Sequence, residues 1–374
     1  MKKIKDILTI SIFVLIILAF SVASFFIPDS DVSYAERRKL SQTSDFSGES
    51  VFSNVFSEKL ETYLLDQFPA RELMRKVNAK VRYSFLKQKD VNGLWLEGGS
   101  IFKKDSPLDE KQVLYGTNLI NSITKKYLGG MNVYYSVIPE KNYFLEEKEF
   151  DYDKLLALLN ENIKSANYID VIGSLELSDY YKTDTHWSQD KIFKVANALS
   201  KEMGMDKYLT PEDEYKKQTL SPFYGVYWGQ AALSAEPDEL VYMKSKYTDN
   251  AKVYGIDPNV LNKDFGVEDT LIKKVYATEK FSGMDGYDVF LSGAQPIVTI
   301  ECENAKTQRE IVIFRDSFSS SLAPLFAGAY KKVTLVDIRY IPSALIDRFV
   351  EFNDGQDALF LYSNSLYNSS MLLK

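Results

Sequence analysis

The only histidine of this 374-residue chain, His186, stands two positions after Asp184 and beside Trp187 in "TDTHWSQDK", residues 183–191. Imidazole is the usual proton acceptor near neutral pH, and a carboxylate that receives its ring N–H fixes the tautomer. In a locally extended loop, residues two apart point the same way, so Asp184 and His186 can address one point. A histidine that only bridges or caps the loop fits the same spacing. A second stretch, "EIVIFRDSFSSSLAPLF" (310–326), sets Ser317 just after the apolar run Ile311 to Phe314, which reads as a buried strand. A serine at a sharp strand-to-helix turn is lifted clear of the backbone at the carboxyl edge of a sheet. There the N–H groups of a helix start can hold a developing oxyanion. A serine that merely caps the helix is the other reading. Taken together, the two stretches supply a hydroxyl, a base to take its proton and a carboxylate to orient the base.

The elements around these stretches alternate. "NVYYSVIP", "NYIDVI", "PIVTIE", "EIVIF", "KKVTLVDI" and "DALFLYSN" read as strands. "LDEKQVLYGTNLINSITKKYLGG" and "DYDKLLALLNENIKS" read as helices, the first stopped by Gly129 and Gly130. "QDKIFKVANALSKEM" is a third, with Ser188 as its expected N-cap. Strand and helix in alternation imply an α/β domain over 96–374 with a mostly parallel sheet, whose carboxyl edge gathers the site. Residues 204–290 are polar and turn-rich and read as an insertion or lid. Upstream, Phe52, Val55, Phe56, Leu60, Tyr63 and Leu64 repeat at helical spacing, as do Leu73, Met74, Val77, Val81 and Phe85. Both stripes are expected to pack in a core, within a stalk and helical region over 29–95.

Residues 7–27, "ILTISIFVLIILAFSVASFFI", form an uncharged apolar run of membrane-spanning length behind the basic flank "MKKIKD". With Asp29, Asp31 and Glu36 following, the positive-inside rule places the N-terminus in the cytoplasm and the remainder outside. Residues 1–28 are thus expected to be a transmembrane anchor. A cleaved signal peptide, with "SVA" at 21–23 as the cleavage site, is the alternative and would leave the protein secreted. The net charge of −7 argues against a nucleic-acid partner. One histidine and one cysteine, Cys302, argue against a zinc site and exclude an intrachain disulfide.

"TDTHW" with "RDSF" resembles the DHHW family and its relatives, the SGNH hydrolase-like acetyltransferases that modify alginate and other exported polysaccharides. "ERRKLS", "DQFPAR", "VIPEKNYF", "YDVFLSGAQP", "LVDIRY" and "LFLYSNSL" add to the likeness, which spans nearly everything after residue 29. The spelling departs at Thr185, where the family has a second histidine, and at Arg315, where the common form has glycine. The resemblance implies an SGNH-like, flavodoxin-like parallel sheet with helices on both faces. It implies Ser317 as nucleophile, His186 as base, Asp184 as its orienting partner and the Ser317 N–H as part of an oxyanion hole. Asn364, Arg315 and Trp187 are candidates for oxyanion or substrate contacts, with structural roles as the plainer reading of each. The implied activity is O-acetyl transfer to a cell-surface or secreted polysaccharide, with no cofactor held by the protein. The implied partners are the polysaccharide acceptor and a membrane-bound O-acyltransferase that delivers the acetyl group. An esterase with the same triad and a non-catalytic glycan-binding subunit are the alternatives.

Overall fold

A computed structural model describes every residue except Met1, Ser47, Ser50, Ser234 and 257–269. The chain divides into two compact units. One comprises residues 1–95 with 228–234, and the other comprises 96–227 with 235–374.

The larger unit is built on a mixed sheet of eight strands among the described residues. In chain order, its central strands are β1 (Asn132–Ile138), β2 (Asn167–Tyr168), β5 (Lys252–Ile256), β6 (Thr270–Lys273), β7 (Ile297–Glu301), β8 (Glu310–Arg315), β9 (Lys332–Val336) and β10 (Asp357–Ser363). A separate antiparallel pair, β3 (Lys216–Phe223) and β4 (Asp238–Lys244), lies between β2 and β5 in the chain. The sheet order is β6-β5-β7-β9-β8-β10-β1-β2. β9, β8, β10, β1 and β2 run parallel, whereas β7, β5 and β6 extend the β9 edge by antiparallel pairing. The stretch 204–290 is therefore more than a lid, because β5 and β6 belong to the sheet; its residues 257–269 lie outside the described residues.

β8 shows why the sheet is buried on both faces. Ile311 and Ile313 enter one core with Val195, Ala196 and Leu199 of α6 (Phe193–Glu202). Val312 and Phe314 enter another with Ile120 of α4 (Glu110–Tyr127) and Leu155 of α5 (Tyr152–Asn162). Successive strand residues face opposite sides, so a strand covered by helices on both faces is apolar throughout. α6 starts later than expected: Gln189–Lys191 is a 3-10 turn, and the Ser188 hydroxyl donates to Asp190 Oδ1 (2.6 Å) instead of accepting from the helix start.

The smaller unit begins with α1 (Lys2–Phe26), followed by an arm and then by α2 (Asn54–Asp66) and α3 (Arg71–Lys80). Charge pairing ties the arm to the helices. Both guanidinium ends of Arg38 meet Asp66, whose Oδ2 also accepts the Ser41 N–H at 3.0 Å. Glu36 pairs with Arg71 at 2.5 Å, and Arg75 Nη2 donates to the Gly229 carbonyl at 2.8 Å. "ERRKLS" and "DQFPAR" are thus two halves of one ion-pair lattice. The expectation of core packing for both apolar stripes fails here. Phe46 packs edge-on to Phe56 and Tyr63, but Phe52 is 100% exposed, Val55 and Leu64 are exposed, and the whole α3 stripe lies at the surface. An arm and two helices have too little mass to enclose two stripes.

Candidate active site

Three neighbouring parallel strands, β8, β10 and β1, end at one edge of the sheet, and their first loop residues are cross-tied. Asp316, just past β8, accepts the Phe318 N–H through Oδ1 (3.1 Å) and the Ser363 N–H at the end of β10 through Oδ2 (2.7 Å). Asn364, just past β10, accepts the Glu140 N–H beyond β1 at 2.7 Å. Ser317 stands in the turn between β8 and the short helix Ser319–Leu322, half-buried, held by a Ser320 N–H to Ser317 carbonyl bond of 3.1 Å.

Asp184 and His186 come from a loop closed on itself by the Tyr181 N–H donating to the His186 carbonyl (3.0 Å). His186 Nδ1 lies 2.6 Å from Asp184 Oδ1, and Nε2 lies 2.8 Å from Ser317 Oγ. An ionised carboxylate only accepts, so the ring proton belongs on Nδ1 and the Nε2 lone pair faces the serine hydroxyl. Asp184 is itself anchored: Oδ1 also accepts the His186 N–H (3.0 Å), and Oδ2 accepts the Val226 N–H (2.7 Å). The residues singled out from the sequence as hydroxyl, base and orienter thus form one hydrogen-bonded line.

The remaining candidates have other positions. Trp187 is fully buried, and its indole N–H is shared between the Phe318 carbonyl (3.1 Å) and Ser321 Oγ (3.0 Å), so it fastens the histidine loop to the serine turn. Arg315 is buried, with Nη1 donating to Ser320 Oγ at 2.9 Å. Burial pushes its pKa down, with Asp337 opposing that shift, and the group braces the turn from beneath. Asn364 is buried and engaged through Oδ1 by Glu140. Thr185, at the position that departs from the family spelling, donates to Glu140 Oε2 at 2.6 Å.

Four residues complete the site without having been read from the sequence. Lys141 is buried and donates to the carbonyls of Tyr181 (3.0 Å), Lys182 (3.1 Å) and Asp184 (2.9 Å). Burial lowers its pKa to about 8, against the pull of Asp184 and Asp238. Asp238 accepts the N–H groups of Lys182 (2.9 Å) and Thr183 (2.7 Å) and the Thr183 hydroxyl (2.6 Å). Tyr287 stacks on the imidazole, ring centres 3.9 Å apart and planes within 8°, and donates to Ser321 Oγ (2.8 Å). Glu140 accepts from Thr185 and Ser365, and burial raises its pKa. The usable signal was "VIPEKNYF": a lysine directly after a buried strand end has to find acceptors or remain in solvent. Asp238 had no local signal, and Tyr287 opens "YDVFLSGAQP", which marks the likeness without giving the tyrosine a role. Beside Glu140 and Asn364 opens a cavity of about 210 Å³, lined also by Tyr227, Ser365 and Asp105, whose pKa burial raises to about 6.

No protein-family model and no curated protein matches the chain. Solved structures do. A DHHW family protein from Eubacterium siraeum superposes with a TM-score of 0.59 at 21% identity, over 76% of this chain and 97% of that one. Bacillus cereus PatB1 follows with 0.58 at 17% identity, over 75% and 98%, and has also been solved with a sulfonyl adduct. A more distant likeness, TM-score 0.41 at 12% identity over 74% and 92%, is to the O-acetyltransferase domain of Pseudomonas putida AlgJ. The first two establish a shared fold, the α/β class with a parallel-rich sheet expected from the sequence.

Proposed function

We propose that this chain is a serine acyltransferase of the DHHW and SGNH-like kind, which moves an acetyl group onto a hydroxyl of an exported or cell-surface polysaccharide. The observation that carries the reading is the continuous line from Asp184 Oδ1 through the imidazole to Ser317 Oγ, at 2.6 and 2.8 Å. Ser317 Oγ attacks the donor's acyl carbonyl as His186 Nε2 takes its proton. The tetrahedral oxyanion is held by the Ser317 N–H, with the Asn364 amide as second donor. His186 returns the proton to the leaving group, and the acetyl remains as an ester on Ser317. A sugar hydroxyl then gives its proton to His186 and attacks that ester, which releases the acetylated sugar and restores Ser317. Asp184 keeps Nδ1 protonated and stabilises the imidazolium formed in each half-reaction. The cavity beside Glu140 and Asn364 offers room for acceptor or donor groups at the same sheet edge.

α1 supports the matching placement. Its stretch Lys3–Ser24 is long and apolar enough to cross a membrane, and Lys2, Lys3 and Lys5 mark the cytoplasmic side, so the catalytic unit works outside. The acetyl donor is then supplied from within the membrane by a partner acyltransferase.

The test supplies an acetyl ester and oligosaccharide acceptors to the full-length chain and follows acetyl by mass spectrometry. The expected outcome is acetyl on sugar, with transfer lowered about 10³-fold or more in Ser317→Ala and in His186→Ala. Acetyl appearing only in water makes the chain an esterase, and wild-type transfer in either variant ends the proposal. A sulfonyl fluoride, the reagent class suggested by the PatB1 adduct, should label Ser317 in the wild type and leave His186→Ala unmodified.

A further inference from the structure

The helix stripe assigned to a core turns away from the protein. Leu73, Met74, Val77, Val81 and Phe85, on α3 and the π-helical turn Val81–Phe85 that continues it, are 39–80% exposed. At 100° per residue they share one side of the helix, and buried Ala79 lies on the opposite side. Between Arg71 and Lys89 the sequence carries seven basic residues and one acidic residue, Glu72, in a chain whose net charge is −7; Arg71 and Arg75 are held by Glu36 and Glu72, and the other five are Lys76, Lys80, Arg82, Lys87 and Lys89. Exposed Lys76 and Lys80 border one flank of the stripe. An apolar stripe edged by lysine is the pattern of a helix lying in a lipid interface.

A ring contact fixes the depth. Phe68, in the turn between α2 and α3, stacks on Phe20 of α1 with ring centres 5.1 Å apart. Phe20 lies four residues before Ser24, the outer end of the apolar span, hence about 6 Å inside it at 1.5 Å per residue. Leu64 and Leu65, next to the same turn, are exposed as well. With α1 crossing a membrane, this contact puts the α2–α3 turn where acyl chains give way to headgroups, and α3 departs from that level.

We infer that α3 and its π-helical turn lie in the plane of the leaflet from which α1 emerges, the stripe among acyl chains and Lys76, Lys80, Lys87 and Lys89 on anionic headgroups. This rests on the reading of α1 as a membrane span. A protein groove could cover the stripe, but it accounts for neither the basic flank nor the contact with the span; lipid accounts for both. The smaller unit is then attached at two places, by a crossing helix and by an in-plane one, which restrains its rotation about α1.

The experiment uses the full-length chain in vesicles of phosphatidylcholine and phosphatidylglycerol, with a single introduced thiol carrying a fluorophore and brominated lipids as quencher. Cys302 is buried and does not compete for the label. Labels at Leu15→Cys, in the span, and Glu58→Cys, on the exposed surface of α2, are the references. The inference expects Val77→Cys to be quenched with Leu15→Cys, about fivefold more than Glu58→Cys. Quenching at Leu15 without quenching at Val77 overturns it, whether water or protein covers the stripe, and leaves the anchor standing. Quenching at neither position overturns the anchor reading and the inference together.

Discussion

Three carbonyl oxygens of the histidine loop converge on the ammonium of Lys141, and the loop holds its shape by that convergence. Lys141→Met keeps the volume and removes the donors, leaving the carbonyls of Tyr181, Lys182 and Asp184 short of a partner. Transfer should fall about 10- to 100-fold through kcat, with the fold retained. The pH dependence has a definite sign. The unfolded lysine binds its proton up to about its ordinary 10.5, while the folded one releases it near 8. At this group the unfolded state therefore holds more protons across that window, and the lysine's contribution to stability rises with pH, by roughly 3 kcal/mol over the whole of it. From about pH 9 buried tyrosines such as Tyr287 and Tyr367, whose pKa burial raises, oppose that rise because the folded state keeps their protons longer. The tyrosines are common to both proteins, so denaturation curves between pH 8 and 10 should show the stability difference between wild type and Lys141→Met shift toward the wild type as pH rises. Tyr287 presents its ring face to the imidazole, where the transient imidazolium gains from the π cloud. Tyr287→Leu should slow transfer about 3- to 10-fold and Tyr287→Phe much less. At this scale the sequence was informative where rarity narrowed the choice: one histidine left one candidate to stand between Asp184 and Ser317, and it does. Lys141 left only the mark of its place directly after a buried strand end, and Asp238 and Tyr287 are common residue types whose meaning comes from distant partners.

At the scale of elements, the histidine loop and the turn at Gly225 are in backbone contact. A Cβ on Gly225 would come within 2.3 Å of the Thr183 carbonyl oxygen and 2.5 Å of Asp184 Cβ, and the Gly225 N–H already donates to Thr183 Oγ1 at 2.9 Å. Gly225→Ala must push the loop aside and carry Asp184 with it. Displacement of about 1 Å in a catalytic group costs on the order of 10²-fold, so transfer should fall by that much while the circular dichroism spectrum stays unchanged. The strands were readable because both faces of the sheet are covered, which leaves unbroken apolar runs such as Ile311 to Phe314. The start of α6 was not, because Ser188 bonds Asp190 and a 3-10 turn intervenes. The helices of the smaller unit show the limit of periodicity: it locates an apolar stripe correctly and is silent about what covers it. The antiparallel extension of the sheet was also hidden, since a strand's direction is set by its connections and leaves little mark on its composition.

For the molecule as a whole, charge is segregated. The chain is acidic overall, yet seven of its basic residues fall between Arg71 and Lys89, along α3 and the turn that continues it. The smaller unit also depends on ion pairs more than on a core. Hydrogen bonding from Arg38 holds the Asp66 carboxyl below its ordinary range. A depressed folded pKa contributes stability that is present above about pH 3.8, the unfolded value, and is lost as pH falls through the folded one. Limited proteolysis in detergent should therefore leave residues 36–41 intact at neutral pH and cut there on acidification toward pH 3. Asp66→Asn should be cut at neutral pH.

The cross-ties from Asp316 to Ser363 and from Asn364 to Glu140 make this sheet edge a braced truss, with the Ser317 turn as one of its joints. Load on one strand end passes sideways to its neighbours, so Ser317 cannot loosen by itself while the sheet stays whole. On heating, loss of sulfonyl labelling and loss of the sheet's circular dichroism should then trace one curve.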